Sequence, residues 1–186
     1  MKKTIIFFSA LSFSISSAQL SKIEQLDNTY NQKFKEISEK YEKVYNVERK
    51  KEEVKIIMDR LEGYELAIKV IQKEEPKVDV MHFQNYFTTP PEYEIGINGF
   101  RGLVAQHFNT SAVTLEDGIV RTMARFLVDE QGNISNITAI GDYREFNLLT
   151  TIALYEIRNE GKWKPAEKDG IPVPSVLAVP ITMKFE

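Results

Sequence analysis

The chain predicts an α+β fold, a small antiparallel sheet with helices on one face, preceded by an all-helical hairpin or coiled-coil segment. Three observations carry this. Between residues 19 and 75 apolar side chains recur in steps of three and four, the helical period. Around residues 118–140 and 176–185 the step changes to two, the period of a half-buried strand. Prolines at Pro76, Pro90 and Pro91 fall between the two regimes, where neither pattern holds.

Residues 1–18 read as a signal peptide. Lys2 and Lys3 give a short positive start, Thr4 to Ile15 is apolar and small, and Ser16-Ser17-Ala18 supplies the small residues a signal peptidase needs. The apolar run is shorter than the roughly 20 residues of a spanning helix. Cleavage after Ala18 is therefore expected, with an uncleaved anchor as the alternative. The formal charge is −3, and losing Lys2 and Lys3 makes it more negative. An acidic chain gives no support to nucleic acid as partner. The sequence has no cysteine, so export implies neither disulfides nor lipid attachment through a thiol.

Residues 19–75 form the helical segment. One stripe runs through Tyr30, Phe34, Ile37, Tyr41 and Val44, a second through Val54, Ile57, Leu61, Tyr64, Ile68 and Ile71. The phase slips between them, near Asn46 to Glu53, which predicts either two antiparallel helices or one long helix with a discontinuity. Pro76 ends this half, and residues 76–95 read as a linker in which Val78, Val80, Met81 and Phe83 could supply a short strand.

In residues 96–186 the pattern predicts a short amphipathic helix over Gly99 to Phe108, using Phe100, Leu103, Val104, His107 and Phe108. A strand from Gly118 to Val128 follows, with Val120, Thr122, Ala124, Phe126 and Val128 on one face and Arg121, Met123, Arg125 and Leu127 on the other. Asp129-Glu130-Gln131-Gly132 reads as the turn of a hairpin. The returning strand spans Asn133 to Ile140, with Ile134 and Ile140 on one face and Ile137 opposed. Phe146 to Asn159 is helical through Phe146, Leu149, Ile152, Ala153 and Ile157, and Gly161 can stop it. After a turn at Asp169-Gly170, a last strand places Leu177, Val179, Ile181, Met183 and Phe185 opposite Ala178, Pro180, Thr182 and Lys184. Pro180 marks that strand as an edge, or directs its missing N–H away from the neighbouring strand.

The run from Gly118-Ile119-Val120 through Arg125-Phe126-Leu127-Val128-Asp129-Glu130-Gln131-Gly132-Asn133-Ile134 resembles the first hairpin of the TonB C-terminal domain family. Lys162-Trp163-Lys164-Pro165-Ala166, then Asp169-Gly170-Ile171-Pro172-Val173, then Val179-Pro180-Ile181-Thr182-Met183-Lys184-Phe185 resemble its end. The resemblance covers about residues 96–186. Phe108-Asn109 stands where the family often has a tyrosine-proline pair, and Phe146-Asn147 where a leucine-aspartate usually opens the second helix. The family's energy transducers carry an uncleaved anchor and a long proline-rich rod, and neither pattern is visible here.

The resemblance implies a Gram-negative, Bacteroidetes-type periplasmic protein and a non-catalytic binding module. It also implies strand addition by a short segment of an envelope protein, such as a TonB-dependent outer-membrane transporter. Carried over by position, the partner-binding residues are Val176, Leu177, Val179, Ile181, Met183 and Phe185. A homo-oligomer built on the helical segment is the structural alternative, and an energy transducer the alternative if residues 1–18 stay as an anchor.

Catalytic chemistry finds little footing. His82 and His107 are the only histidines and sit in no ligand spacing, so no metal is expected. No phosphate loop or activated nucleophile is present, and no cofactor is predicted. Trp163, the only tryptophan, is expected in the core. Arg121 and Arg125, with Met123 between them, form a basic stripe that suits either solvent or an acidic partner. Asn109, Asn133 and Asn136 begin glycosylation-type triplets, read as chance in a bacterial protein.

Overall fold

A computed structural model describes residues 7–41, 46–78, 83, 87–114, 117–159 and 163–185. It divides into two compact units, residues 1–74 and 75–186.

The first unit is a helical hairpin of α1 (Phe7–Lys40) and α2 (Val47–Glu74). The helices run antiparallel: the Tyr64 hydroxyl donates to Asp27 Oδ1, while at the other end Lys40 Nζ reaches Glu52 Oε1 at 2.7 Å and the Tyr41 hydroxyl donates to the same oxygen. Asn46 Oδ1 accepts the Glu48 N–H at 2.8 Å and so caps the start of α2, satisfying a donor that has no partner within the helix. Tyr30, Ile37 and Ile56 form the described apolar centre, flanked by Leu26, Phe34 and Tyr41. A Cβ on Gly63 would come within 3.0 Å of the Leu26 side chain, so the glycine permits close approach of the helices.

The two-helix alternative therefore holds, but the second stripe begins differently from expectation. Ile56 and Arg60 are buried, whereas Val54 is 46% exposed. Steps of four from Ile56 through Arg60 and Tyr64 to Ile68 keep one face turned inward. Arg60 can occupy this face because its stem is apolar and its guanidinium lies 5.6 Å from the centre of the Phe34 ring. Residue type alone hid that position.

The second unit follows the order β1 (Glu92–Tyr93), α3 (Gly96–His107), a 3₁₀ turn (Thr110–Ala112), β2 (Gly118–Val128), β3 (Ile134–Ile140) and α4 (Arg144–Ile157). It ends with β4 (Trp163–Lys164), β5 (Ala166–Lys168), β6 (Ile171–Val173) and β7 (Ser175–Phe185). The main sheet is antiparallel in the order β3-β2-β7, with β2 in the middle. Short pairs β1-β4 and β5-β6 accompany it. The α+β class is thus present, with two small arms that the sequence pattern did not reveal.

The expected linker over 76–95 is corrected at its far end. Tyr93 pairs with Trp163, and Thr89 and Glu167 exchange backbone bonds of 3.0 Å in each direction. Tyr93 is buried among aromatic rings, 5.2 Å from Phe100 and 5.1 Å from Trp163 between centroids. The prolines suggested a spacer because extended backbone without periodicity looks the same whether it is solvated or paired to another segment. Of the proposed short strand, Val80 and Met81 lie outside the described residues, as do Gly161 and Lys162. Val78 and Phe83 are not in a strand.

The first hairpin matches its pattern closely, but one face assignment changes. Leu127 opposes Ser135 while Arg125 opposes Thr138, so β3 carries one extra residue there. Asn136 takes it up with φ +52°, a left-handed conformation that asparagine tolerates. This bulge switches the parity of the strand. Ile134 and Ile137 consequently both face the core, and Ile140 is 72% exposed. In the turn, Asp129 Oδ1 accepts the N–H groups of Gln131 and Asn133. Gly132 has φ +83°, and a Cβ there would lie 2.1 Å from the Trp163 carbonyl oxygen, so both backbone conformation and space demand glycine.

Helix α4 packs on β2 and β3 through Phe146, Leu149, Ile152, Ala153 and Ile157, all buried. Asn147 fixes its start. The Thr122 hydroxyl donates to Asn147 Oδ1 at 2.7 Å, and Asn147 Nδ2 donates to the Gly141 carbonyl at 2.8 Å. Trp163 joins Tyr93, Phe100 and Phe126 in one aromatic cluster, with centroids 5.0 Å from Phe100 and 5.6 Å from Phe126. It fills the expected core role.

Candidate partner-binding edge

Strand β7 forms because apolar and polar residues alternate along it. It pairs with β2 without interruption, from Ser175 opposite Val128 to Phe185 opposite Gly118. Among the described residues nothing else pairs with β7 in the main sheet, so its other side is an edge.

Pro180 fixes which residues address that edge. It lies opposite Met123 and has no N–H to give to β2. Its carbonyl instead accepts a bond of 3.1 Å from Arg101 Nε. In an antiparallel ladder the N–H and C=O of one residue point to the same side, and successive residues alternate. Val176, Ala178, Pro180, Thr182 and Lys184 therefore direct their backbones outward, whereas Val179, Ile181 and Met183 direct theirs to β2.

This corrects the residue-level expectation. Of Val176, Leu177, Val179, Ile181, Met183 and Phe185, only Val176 directs its backbone outward. Val179 and Ile181 are buried, at 3% and 2% exposure, and hold the sheet to the core. Leu177 and Met183 are half-buried, and Phe185 stacks edge-on against Phe146 at 6.4 Å. The other outward-directed residues are Ala178, Pro180, Thr182 and Lys184, all with exposed side chains. The proline was the available signal, since a strand can only carry it where its nitrogen faces away from the ladder.

On the solvent face, the register lines up Ile140, Met123 and Pro180 in one row across the three strands. Arg125 stands opposite Ala178, Arg121 opposite Thr182, and Ile119 opposite Lys184. Met123 is 44% exposed and Ile119 59%, so this face presents apolar surface framed by cations.

Several other polar groups bond to neighbouring elements of the fold. His82 lies outside the described residues. His107 Nδ1 lies 3.3 Å from Glu156 Oε2 and ties the end of α3 to α4. Glu75 Oε2 accepts the Asn136 N–H and the Tyr155 hydroxyl, each at 3.0 Å. Burial raises the Glu75 carboxyl above its usual range, against the lowering effect of those two donors and of Arg158. Its other oxygen is buried without a hydrogen bond among the described residues. The carboxylate holds the bulge's Asn136 N–H and the Tyr155 hydroxyl together. Among the described residues no three His, Cys, Asp or Glu side chains converge to hold a metal. No described helix is long and apolar enough to cross a membrane.

Comparison of the chain with protein-family models, with curated proteins and with solved structures finds no match. The likeness to the TonB C-terminal domain accordingly rests on the ordered motifs themselves.

Proposed function

We propose that residues 75–186 form a non-catalytic, protein-binding module of TonB C-terminal type that takes an extended segment of an envelope partner as an added strand along β7. The observation that carries this reading is the outer edge of β7, where Val176, Ala178, Thr182 and Lys184 direct their backbones outward on either side of Pro180, which has no N–H to offer and whose carbonyl is held by Arg101. An edge with unpaired backbone groups is a template for another chain, and Pro180 and Lys184 restrict where along β7 such a chain can pair. The motifs shared with the TonB family favour a periplasmic setting and a transporter-like partner.

The test exploits the parity. Thr182→Pro and Ala178→Pro remove outward N–H groups and spare every bond to β2. Wild-type protein should retain an envelope protein that the double variant loses, with both proteins equally folded by circular dichroism. Equal retention by the two rejects strand addition. Sequencing the mature N-terminus decides between a free adapter, starting at Gln19, and an anchored transducer.

A second reading has its own observation. Val47, Val54 and Met58 recur on one side of α2 and are 61%, 46% and 44% exposed. Such a stripe suits association of hairpins into an oligomer. Light scattering on the mature chain and on residues 75–186 tests it: assembly that disappears with the hairpin favours this role.

A further inference from the structure

We infer that Arg101 is a clasp: it closes the β7 edge at Pro180 in the free protein and swings off when an added strand runs past that point. This rests on strand addition at β7. Helix α3 fixes where the clasp lies. Phe100 and Val104 anchor the helix in the core, at 1% and 0% exposure, and Phe100 packs against Trp163 and Phe126. Arg101 follows Phe100 directly, is half-buried, and its Nε donates to the Pro180 carbonyl at 3.1 Å. Its Nη1 donates to Asn98 Oδ1 at 3.1 Å, so the guanidinium is also held from its own helix.

Pro180 stands in the middle of the outward-directed residues, between Ala178 and Thr182. In an antiparallel ladder each such residue exchanges two bonds with the residue opposite it. Pro180 can take part in only one, through its carbonyl, because its nitrogen carries no hydrogen. Arg101 already fills that acceptor. Neighbouring strands run about 4.8 Å apart, so a donor 3.1 Å from an outward carbonyl stands where the next backbone would lie. The guanidinium therefore excludes an added strand as well as competing for the oxygen.

The clasp cuts the edge into two short runs, Val176 with Ala178 and Thr182 with Lys184. A ladder of so few residues is marginal on its own. A segment must span Pro180 to use both runs, and at the centre it replaces one donor by another with no net gain. Its carbonyl opposite the proline ring meets no backbone donor. A partner with further side-chain contacts overcomes this, whereas an arbitrary extended chain does not. Prolines and charged side chains are common means of keeping a sheet edge from pairing indiscriminately, and here both act at one residue. Exposed side chains change rotamer within on the order of nanoseconds, so the clasp weakens binding without slowing it.

The test titrates the full chain into a labelled, uncharged peptide of alternating threonine and valine, read by fluorescence anisotropy. Arg101→Ala should bind it roughly two- to tenfold tighter than wild type, the factor that one net hydrogen bond carries. Adding Ala178→Pro and Thr182→Pro to that variant should abolish the gain. Asn98→Ala keeps the arginine but loosens it, and should give a smaller gain in the same direction. It carries the test if Arg101→Ala fails to show a cooperative thermal transition. In wild type, the NMR signal of the Arg101 Nε–H should shift when peptide saturates the protein.

Equal affinities of wild type and both single variants, abolished by the edge prolines, overturn the clasp and leave strand addition standing. Weaker binding by Arg101→Ala also overturns it, and shows that Arg101 instead donates to the partner's carbonyl opposite the proline. A gain that survives the edge prolines places the peptide elsewhere and overturns the clasp. Absence of binding by every protein overturns strand addition, and this inference with it.

Discussion

Asn147 shows how much one polar side chain can organise. It accepts from the buried Thr122 hydroxyl, donates to the Gly141 carbonyl, and its own carbonyl accepts from Thr151. Asn147→Ala would strand the Thr122 hydroxyl in the core, costing about 1–3 kcal/mol. Urea denaturation should show that loss, whereas adding Thr122→Val to the Asn147→Ala variant should recover part of it by removing the orphaned group. Glu75 is the second case. Its native carboxyl holds a proton more tightly than the unfolded one because burial disfavours the charge. Stability should therefore fall as pH rises from the usual carboxylate range to the raised native value, then level off. Glu75→Gln keeps an oxygen for Asn136 and Tyr155 but cannot ionise. Its stability relative to wild type should grow with pH over that window, measured by urea midpoints at successive pH values. A constant difference would mean that burial does not raise the native carboxyl of Glu75.

At the scale of elements, β7 offers the sharpest contrast between neighbouring residues. Pro180 faces away from β2, so Pro180→Thr should leave stability within about 0.5 kcal/mol, as for a surface change. Val179→Pro, one residue away, removes a donor from the ladder and should cost about 1–3 kcal/mol from the β2 carbonyl left unpaired, before any loss of packing at this buried site. Similar thermal shifts for the two variants would refute the parity. The same strand shows what was legible beforehand. Strict alternation located β2 and β7, because each has one dry and one wet face. It also placed the stripe of α4, through the helical period. The bulge at Asn136 was not legible, since an extra residue leaves composition unchanged while exchanging the faces of Ile137 and Ile140. Arg60 was hidden because a buried arginine depends on the Phe34 ring across the hairpin. At the candidate edge the strand itself was readable but which of its residues face outward was not. Apolar side chains mark the half of an edge strand that packs inward, and the residues presented to a partner are the small and polar ones between them.

At the scale of the whole chain, the boundary between units lies earlier than the proline pattern and the motif resemblance implied. Residues 96–186 contain the main sheet and both of its helices, but they lack Glu75, the Thr88 and Thr89 bonds to Glu167, and Tyr93. Each closes something that the later residues leave open. Glu75 satisfies the bulge, Thr88 and Thr89 pair the outer side of β5, and Tyr93 covers Trp163 and Phe100. Loss of one buried aromatic alone costs about 3–5 kcal/mol, against a total of about 5–15 kcal/mol for a domain. Residues 75–186 should therefore unfold in one cooperative thermal transition without the hairpin, because the unit keeps its own core. Residues 96–186 should melt lower by on the order of 10–40 °C, given about 4–8 °C per kcal/mol in domains of this size. Differential scanning calorimetry on the two fragments makes the comparison. Equal midpoints would return residues 75–95 to the status of a linker, and a 75–186 fragment that fails to fold would show that the hairpin is part of the same cooperative unit.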